Sequence, residues 1–146
     1  MILHPQLEKD CVVLGQLDLC VVLLMPDANY PWLILVPQRE NISEIYQLSD
    51  ADQQQLMRES SKVSRLLAEL FNADKINVAA LGNMVSQLHV HHVVRYKTDA
   101  VWPAPVWGAA AAKKYTAKGL ENIQKRLYEA FDASLPLCSK ISSSKA

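Results

Sequence analysis

The chain has 146 residues, of which 50% are hydrophobic, and its 15 basic residues balance its 15 acidic residues at a formal net charge of zero. This length suits one domain with a single core. The balanced charge argues against a protein that binds extended DNA or RNA, because such proteins carry a basic excess that neutralises phosphates.

The cysteines and the apolar runs indicate the compartment. Cys11, Cys20 and Cys138 are too far apart for a zinc site and odd in number, so we expect reduced thiols. The longest apolar run, residues 19–25, is well short of the roughly 20 residues that cross a bilayer. The N-terminal stretch MILHPQLEKDC carries charges where a signal peptide needs apolar residues. These features predict a cytoplasmic protein with no membrane partner.

Two apolar segments occupy the first part of the chain. Residues 11–25 (CVVLGQLDLCVVLLM) and 31–37 (PWLILVP) are rich in Val and Leu, and PDANY between them is typical of a turn. We expect these segments to form an antiparallel hairpin. Since both are apolar on both faces, the hairpin should lie at the centre of a sheet that is covered on each side.

Helical periodicity follows in two later segments. Ser49 is a good N-cap, and Asp50 and Asp52 in the first turn suit the helix dipole, so a helix of about twenty residues should begin there. Its apolar stripe consists of Leu56, Val63, Leu67, Leu70 and Phe71. A second helix begins at about Thr116 and ends before Pro136. Its stripe consists of Leu120, Ile123, Leu127, Ala130 and Phe131.

Two further strands lie between the helices. Residues 75–81 (KINVAAL) and 87–95 (QLHVHHVVR) both have the composition of strands. The order of strands, helix, strands and helix predicts an α+β fold with a mostly antiparallel sheet. We expect one domain over residues 1–135, followed by a polar C-terminal tail over residues 136–146.

Three histidines and a glutamine fall within six residues of the last strand. Side chains of a strand alternate between its faces, which predicts that Gln87, His89 and His91 share one face and that His92 lies on the other. The Cα atoms of His89 and His91 should be about 6.6 Å apart, so both rings can reach one small bound group.

A phosphate is a group of that size. Neutral imidazole is a nucleophile near neutral pH, and a neighbouring protonated ring could stabilise charge on the phosphate or the leaving group. Gly82, just upstream, would let the backbone come close to an anion.

The stretch QLHVHHV at residues 87–93 resembles the signature of the histidine-triad (HIT) proteins, in which histidines alternate with apolar residues. PWLILVP resembles the family's strand that ends in proline. KINVAALGNMVSQLHVHHVVR resembles the strand, loop and strand that carry the triad. The resemblance covers roughly residues 10–108, which is most of the chain.

This resemblance implies a nucleotide hydrolase or transferase that cleaves a phosphoester, phosphoanhydride or phosphoramidate bond, for example in a dinucleoside polyphosphate. It assigns the role of nucleophile to His89 and contact with the phosphate or leaving group to His91. The implied fold is an antiparallel sheet of about five strands with two main helices. Members commonly form homodimers, and neither a metal nor another cofactor is expected.

The sequence departs from the family pattern at three positions. Gln87 stands where the first histidine belongs, Met84 where many members have a hydroxyl residue that contacts phosphate, and His92 where an apolar residue is usual. Glutamine forms hydrogen bonds but does not carry a titrating proton. We therefore expect Gln87 and His91 to hold the phosphate oxygens, and a nucleotide-binding module with weak or no turnover is the alternative.

Several other residues have two interpretations. Asn83 is a candidate phosphate or sugar contact or an ordinary loop residue, and Asp27 is read as a turn residue in preference to a ribose contact. Trp102 and Trp107 could stack on a base, although burial against the domain or a partner subunit is favoured. His-x-His on a strand can also bind zinc, with His4 or an acidic residue as a third ligand, which makes a metal-binding protein the second alternative.

Overall fold

A computed structural model describes residues 1–138 of the chain, and these residues fold around a single antiparallel sheet. The strands within this range are β1 (Val12–Gln16), β2 (Cys20–Leu24), β3 (Trp32–Pro37), β4 (Lys75–Ala79) and β5 (Val90–Arg95). The helices are α1 (Pro5–Asp10), α2 (Asp50–Phe71) and α3 (Ala117–Ser134). A short 3-10 turn, Ile45–Gln47, precedes α2.

The sheet has the strand order β1-β2-β3-β5-β4, and all four neighbouring pairs are antiparallel. β3 is therefore the middle strand, and every residue of β2 and β3 is buried. The predicted hairpin between them is present, with its turn at the residues PDANY. The α+β fold with about five strands and two main helices is confirmed.

The segment 11–25, predicted as one arm of that hairpin, is instead a hairpin of its own. β1 and β2 pair with each other through a turn at residues 17–19, whose Leu residues are themselves buried. Both oxygens of the Glu59 carboxylate on α2 accept backbone N–H groups at this turn, from Leu19 at 2.8 Å and from Cys20 at 2.9 Å. This turn buries two of its three residues and is held by a side chain 40 positions further along the chain, so the prediction of one continuous arm was wrong.

Both long helices begin where predicted, α2 directly after Ser49 and α3 directly after Thr116. The Ser49 hydroxyl accepts the N–H of Asp52, and α2 ends at Asn72, whose φ of 49° is left-handed. The Thr116 hydroxyl caps α3 in the same way by accepting the N–H of Gly119 at 3.0 Å. The stripes of both helices supply the apolar core on one side of the sheet.

The helix α1 was not predicted. Its N-terminal residue is Pro5, which suits the first helical position because proline has no N–H to leave unsatisfied. The His4 ring caps it by accepting the N–H of Gln6. α1 buries Leu7 on the side of the sheet that faces away from α2 and α3. This second face also receives residues 101–107, so the sheet has two distinct apolar layers.

The strand β5 begins at Val90, three residues later than predicted. The ladder with β3 starts at the pair Leu35 and Val90, and the N–H of Leu88 bonds instead to the carbonyl of Ile42 in the loop after β3. Gln87 and His89 therefore precede the regular strand.

The end of the described chain lies against β1. Cys138 and Gln16 exchange two backbone hydrogen bonds, of 3.0 and 2.8 Å, and Leu137 packs over Gly15. The first residues of the predicted polar tail are thus paired with the sheet, and the remainder, 139–146, lies outside the described residues. Within residues 1–138, no helix is both long and apolar enough to cross a membrane.

Candidate active site

The two predicted site histidines meet at an open cavity on the face of the sheet opposite α2 and α3. The ring centroids of His89 and His91 are 5.0 Å apart. The cavity has a volume of about 360 Å³. Its other walls include Met25, Leu81, Asn83, Val85 and two tryptophans, Trp32 and Trp107. The predicted projection of both imidazoles from one surface is therefore present.

The hydrogen bond of His89 assigns its protons. Its Nδ1 lies 2.7 Å from the backbone carbonyl of Gln87. A carbonyl only accepts hydrogen bonds, so Nδ1 carries the hydrogen and donates it. In the neutral ring the lone pair is then on Nε2. His89 thus has its unprotonated nitrogen available for attack on an electrophile.

His91 has the opposite arrangement. The indole N–H of Trp32 donates to its Nδ1 at 3.0 Å, so this nitrogen is the acceptor and Nε2 carries the hydrogen of the neutral ring. Burial, together with smaller effects of the nearby His89 and His92, lowers the pKa of His91 to about 4. His91 is therefore neutral at neutral pH and presents an N–H donor at Nε2.

The two rings form a complementary pair within one cavity. His89 offers a lone pair and His91 offers a hydrogen-bond donor, which is what attack on a phosphoryl group with stabilisation of its oxygens requires. Among the described residues that line the cavity, none is Lys, Arg, Asp or Glu. The walls are mostly apolar and aromatic, so the cavity suits a flat apolar group next to a phosphate.

Gln87 does not line this cavity, contrary to the prediction that Gln87 and His91 hold the same phosphate. Its carboxamide oxygen accepts the backbone N–H of His4 at 2.7 Å, and its amide nitrogen donates to the carbonyl of Ile2 at 3.1 Å. The side chain lies in a separate, polar cavity of about 490 Å³ beside Arg39. Because Gln87 precedes the first regular residue of β5, its side chain reaches the N-terminal segment that leads into α1 instead of this cavity. Only its carbonyl touches the site, through His89.

The loop before β5 borders the cavity. Gly82 has a φ of 77°, a left-handed conformation that favours glycine, and Asn83 follows it as a lining residue. Met84 also lies at the cavity but is 95% exposed, so its thioether stands at the mouth. The structure thus brings Asn83 together with His89 and His91.

His92 lies on the other face, as alternation predicted. Its Nε2 is 2.7 Å from the Ser60 hydroxyl of α2, and its Nδ1 donates to the carbonyl of Val90. The ring is completely buried, and this burial lowers its pKa to about 4. His92 is a structural contact between β5 and α2.

The two tryptophans after the triad have different positions. Trp107 lines the cavity, with its ring 5.2 Å from that of His91 and 5.9 Å from that of Trp32. Trp102 instead lies over the guanidinium of Arg95 at 5.5 Å. The Arg95 side chain is buried and paired with Asp99 at 2.8 Å, which holds the loop that leads to Trp107. The pairing with Arg95 and backbone N–H groups lowers the pKa of Asp99 to about 2 although burial opposes the shift.

Asp27 stabilises the turn between β2 and β3 in which it lies. One of its carboxylate oxygens accepts the backbone N–H groups of Asn29 at 2.9 Å and of Lys113 at 3.2 Å. This arrangement matches the turn interpretation that the sequence favoured. Across residues 1–138, no group of three His, Cys, Asp or Glu side chains is placed to hold a metal ion, and His4 is occupied as the cap of α1.

Sequence reasoning missed Trp32 as a site residue. Trp32 was read as part of a buried strand, and it is 7% exposed. The register of β3 against β5 places Ile34 opposite His91, so Trp32, two residues away, lies on the same face as the histidine. Without that register, nothing in the sequence pairs an indole with a ring 59 residues away.

Comparisons with known proteins agree with the fold. The family model described as HIT domain matches residues 6–98. A histidine triad protein from Marinobacter aquaeolei VT8 is 47% identical, with a TM-score of 0.87 over 91% of this chain and 97% of that chain. Histidine triad proteins from Bradyrhizobium japonicum and Sinorhizobium meliloti 1021 are 46% and 42% identical, with TM-scores of 0.86 and 0.85. Each alignment covers 88% of this chain and 96% of the other. The search of the curated proteins found no significant match.

Proposed function

This chain belongs to the HIT domain family, and we propose that it is a nucleotide hydrolase or transferase that forms a nucleotidyl-histidine intermediate on His89. The observation that carries the proposal is the complementary pair of imidazoles at an open cavity. One ring has its lone pair on Nε2 because its Nδ1 donates to a carbonyl. The other has its hydrogen on Nε2 because its Nδ1 accepts from an indole.

In the first step, Nε2 of His89 attacks the α-phosphorus of the nucleotide. A P–N bond forms while the bond from phosphorus to the leaving group breaks, and the leaving group departs with the electron pair and takes up a proton from solvent. Nε2–H of His91 donates to a phosphate oxygen and stabilises the charge that develops there. The carbonyl of Gln87 keeps its hydrogen bond to Nδ1 of His89, which now bears the positive charge of the ring.

In the second step, water or another acceptor attacks the same phosphorus. The P–N bond breaks, its electron pair returns to Nε2 of His89, and the attacking oxygen releases a proton to solvent. With water the product is a mononucleotide, and with a different acceptor it is a transferred nucleotidyl group. Splitting the reaction into two displacements lets one histidine serve both halves.

The remaining cavity residues suit the nucleotide. Asn83 has donors and an acceptor for a phosphate or sugar oxygen, and the left-handed Gly82 lets this loop approach it closely. The apolar walls formed by Met25, Leu81 and Trp107 suit a base. Gln87 is assigned no contact with the phosphate in this proposal, since its side chain is engaged by the N-terminal segment.

The proposal includes a cytoplasmic homodimer, as the family resemblance implies. Sedimentation velocity of the purified protein should give twice the mass of one chain. A monomer at micromolar concentration would contradict this part of the proposal and leave the chemistry of His89 unaffected.

Trapping the intermediate tests the chemistry. Incubation with a slow nucleoside phosphoramidate, followed by acid-free mass spectrometry, should show a nucleotidyl adduct on His89. The adduct should be absent in His89→Ala and present in His92→Asn, because His92 lies on the opposite face. Failure to find any adduct or turnover with phosphoramidates and dinucleoside polyphosphates would contradict the enzyme. If AMP or GMP then still raised the melting temperature, the protein would be a binding module.

A further inference from the structure

Trp32 donates its indole N–H to Nδ1 of His91, the histidine that is expected to hold the phosphate. We propose that Trp32 is a positioning residue that fixes the tautomer of His91, so that Nε2–H of His91 always faces the cavity. The expected effect on turnover rests on the proposed function, while the tautomer of His91 is a property of the free protein.

The geometry holds the two rings in one arrangement. Trp32 belongs to β3, the central strand, and Trp107 packs edge-on against both Trp32 and His91 at centroid distances of 5.9 and 5.2 Å. The rings of Trp32 and His91 are themselves 5.6 Å apart in an edge arrangement. Since neither ring is free to turn away, the indole N–H stays directed at Nδ1.

The tautomer matters because phosphate oxygens only accept hydrogen bonds. An imidazole without a fixed partner exchanges its hydrogen between Nδ1 and Nε2, and the tautomer with hydrogen on Nδ1 would present a lone pair to the phosphate. Trp32 excludes that tautomer, because an N–H donor and a hydrogen on Nδ1 would face each other. His91 then needs no rearrangement before the phosphate arrives.

The hydrogen bond from Trp32 also opposes protonation of His91. With hydrogen already on Nε2, the next proton must go to Nδ1, where it meets the indole N–H. Two titratable groups lie near His91: His89 on the same face of the sheet and His92 on the other face. None of the described residues that line the cavity from β3, the loop before β5 and the Trp107 segment is charged. Removing the indole N–H should therefore raise the pKa of His91 toward its ordinary value, against the lowering by burial and by the other two rings.

The test compares Trp32→Phe with Trp102→Phe, which removes an indole that contacts Arg95 and does not line the cavity. Nitrogen-15 NMR of the imidazoles in free wild-type protein at neutral pH should show hydrogen on Nε2 of His91, and a coupling across the bond from Trp32 Nε1 to His91 Nδ1. In Trp32→Phe we expect a mixture of tautomers, a higher His91 pKa, and a kcat for a nucleoside phosphoramidate lower by roughly two- to tenfold with little change in KM. Trp102→Phe should retain the wild-type tautomer.

Hydrogen on Nδ1 of His91 in the wild-type protein, or no coupling to Trp32, would overturn the inference even if Trp32→Phe failed to fold. A Trp32→Phe protein that kept both the wild-type tautomer and the wild-type kcat would overturn it too, as would a loss of kcat without a change of tautomer. Because the NMR readout needs no substrate, a correct tautomer in a protein without turnover would contradict the proposed function and leave the positioning by Trp32 intact.

Discussion

At the scale of single residues, His89 and His91 have the same side chain and different hydrogen-bond partners. A carbonyl makes Nδ1 of His89 a donor, and an indole makes Nδ1 of His91 an acceptor. In the neutral rings, the other nitrogen, Nε2, therefore carries a lone pair in His89 and an N–H donor in His91. Both partners are held by backbone elements that do not depend on substrate, so the site is preorganised before binding.

Gln87 illustrates how a carboxamide can serve structure next to a reactive group. Its side chain bonds to the N-terminal segment and its carbonyl bonds to His89. In Gln87→Ala the carbonyl remains, so we expect kcat within about threefold of wild type and a loss of about 1 kcal/mol in the free energy of unfolding, measured by urea denaturation. His91→Ala is the comparison, because it removes a group that lines the cavity. A loss of activity in Gln87→Ala as large as that in His91→Ala would show that the carboxamide reaches the substrate.

At the scale of elements, α2 does more than cover the sheet. Its Glu59 is buried and joins the helix to the turn between β1 and β2 through two backbone N–H groups, while Gln55 donates to the same carboxylate at 2.7 Å. Burial and the Glu59 carboxylate raise the pKa of the neighbouring Cys20 thiol, which therefore stays protonated. The turn between β1 and β2 is thus held in place by one side chain of α2.

Glu59→Gln should cost about 2–3 kcal/mol in the free energy of unfolding. The amide group can accept only one of the two backbone N–H groups and places its own donors against the other, so a buried donor loses its partner. Chemical denaturation measures the loss, and Glu69→Gln on an exposed turn of the same helix is the matched control, expected to lie within about 0.5 kcal/mol of wild type. Equal stability of both variants would show that the turn folds without the carboxylate.

At the scale of the whole molecule, the two layers have separate tasks. α2 and α3 pack on one face of the sheet and supply most of the core, while the other face carries α1, residues 101–107 and the cavity that Trp107 helps to line. β5 belongs to both layers, since His91 faces the cavity and His92 faces α2. One strand thus carries a titratable histidine into the cavity and another into the core, so protonation of either ring affects the stability of the fold.

The two buried histidines of β5 predict that the free energy of unfolding decreases in acid. Burial lowers the pKa of both His91 and His92 to about 4, so between about pH 6.5 and pH 4 the unfolded chain binds protons that the folded chain does not. Stability is therefore complete above the unfolded pKa and falls as the pH falls toward the folded pKa. Each histidine should contribute a slope of about 1 kcal/mol per pH unit in the middle of this window.

The check is the free energy of unfolding of wild type and of His92→Asn, measured by urea denaturation at several pH values. The variant should lose stability overall because it loses the contact with Ser60, and its dependence on pH in the window should be shallower by about 1 kcal/mol per pH unit. The same slope in both proteins would mean that His92 is not buried in its neutral form.

The predictions from sequence were reliable where the signal was local. Ser49 caps the helix that it was expected to cap, α3 begins directly after Thr116 as predicted, and alternation along β5 separates His91 from His92. Alternation did not reveal that Gln87 lines a different cavity from His89, because the regular strand starts only at Val90 and the Gln87 side chain bonds to the N-terminal segment. A period of two residues assigns a face of the sheet, but it does not identify the partner that a side chain finds there.

Sequence alone determined the α+β fold, the two long helices, the family resemblance and the pair of histidines, because caps, periodicity and the triad motif act over a few neighbouring residues. Only the tertiary structure decided which nitrogen of each histidine faces the cavity, since Trp32 reaches His91 from another strand. It also decided that Glu59 of α2 binds the turn before β2 and that the Gln87 side chain bonds to the N-terminal segment. Hydrogen bonds between residues far apart in the chain depend on strand register and packing, and these are properties of the assembled fold.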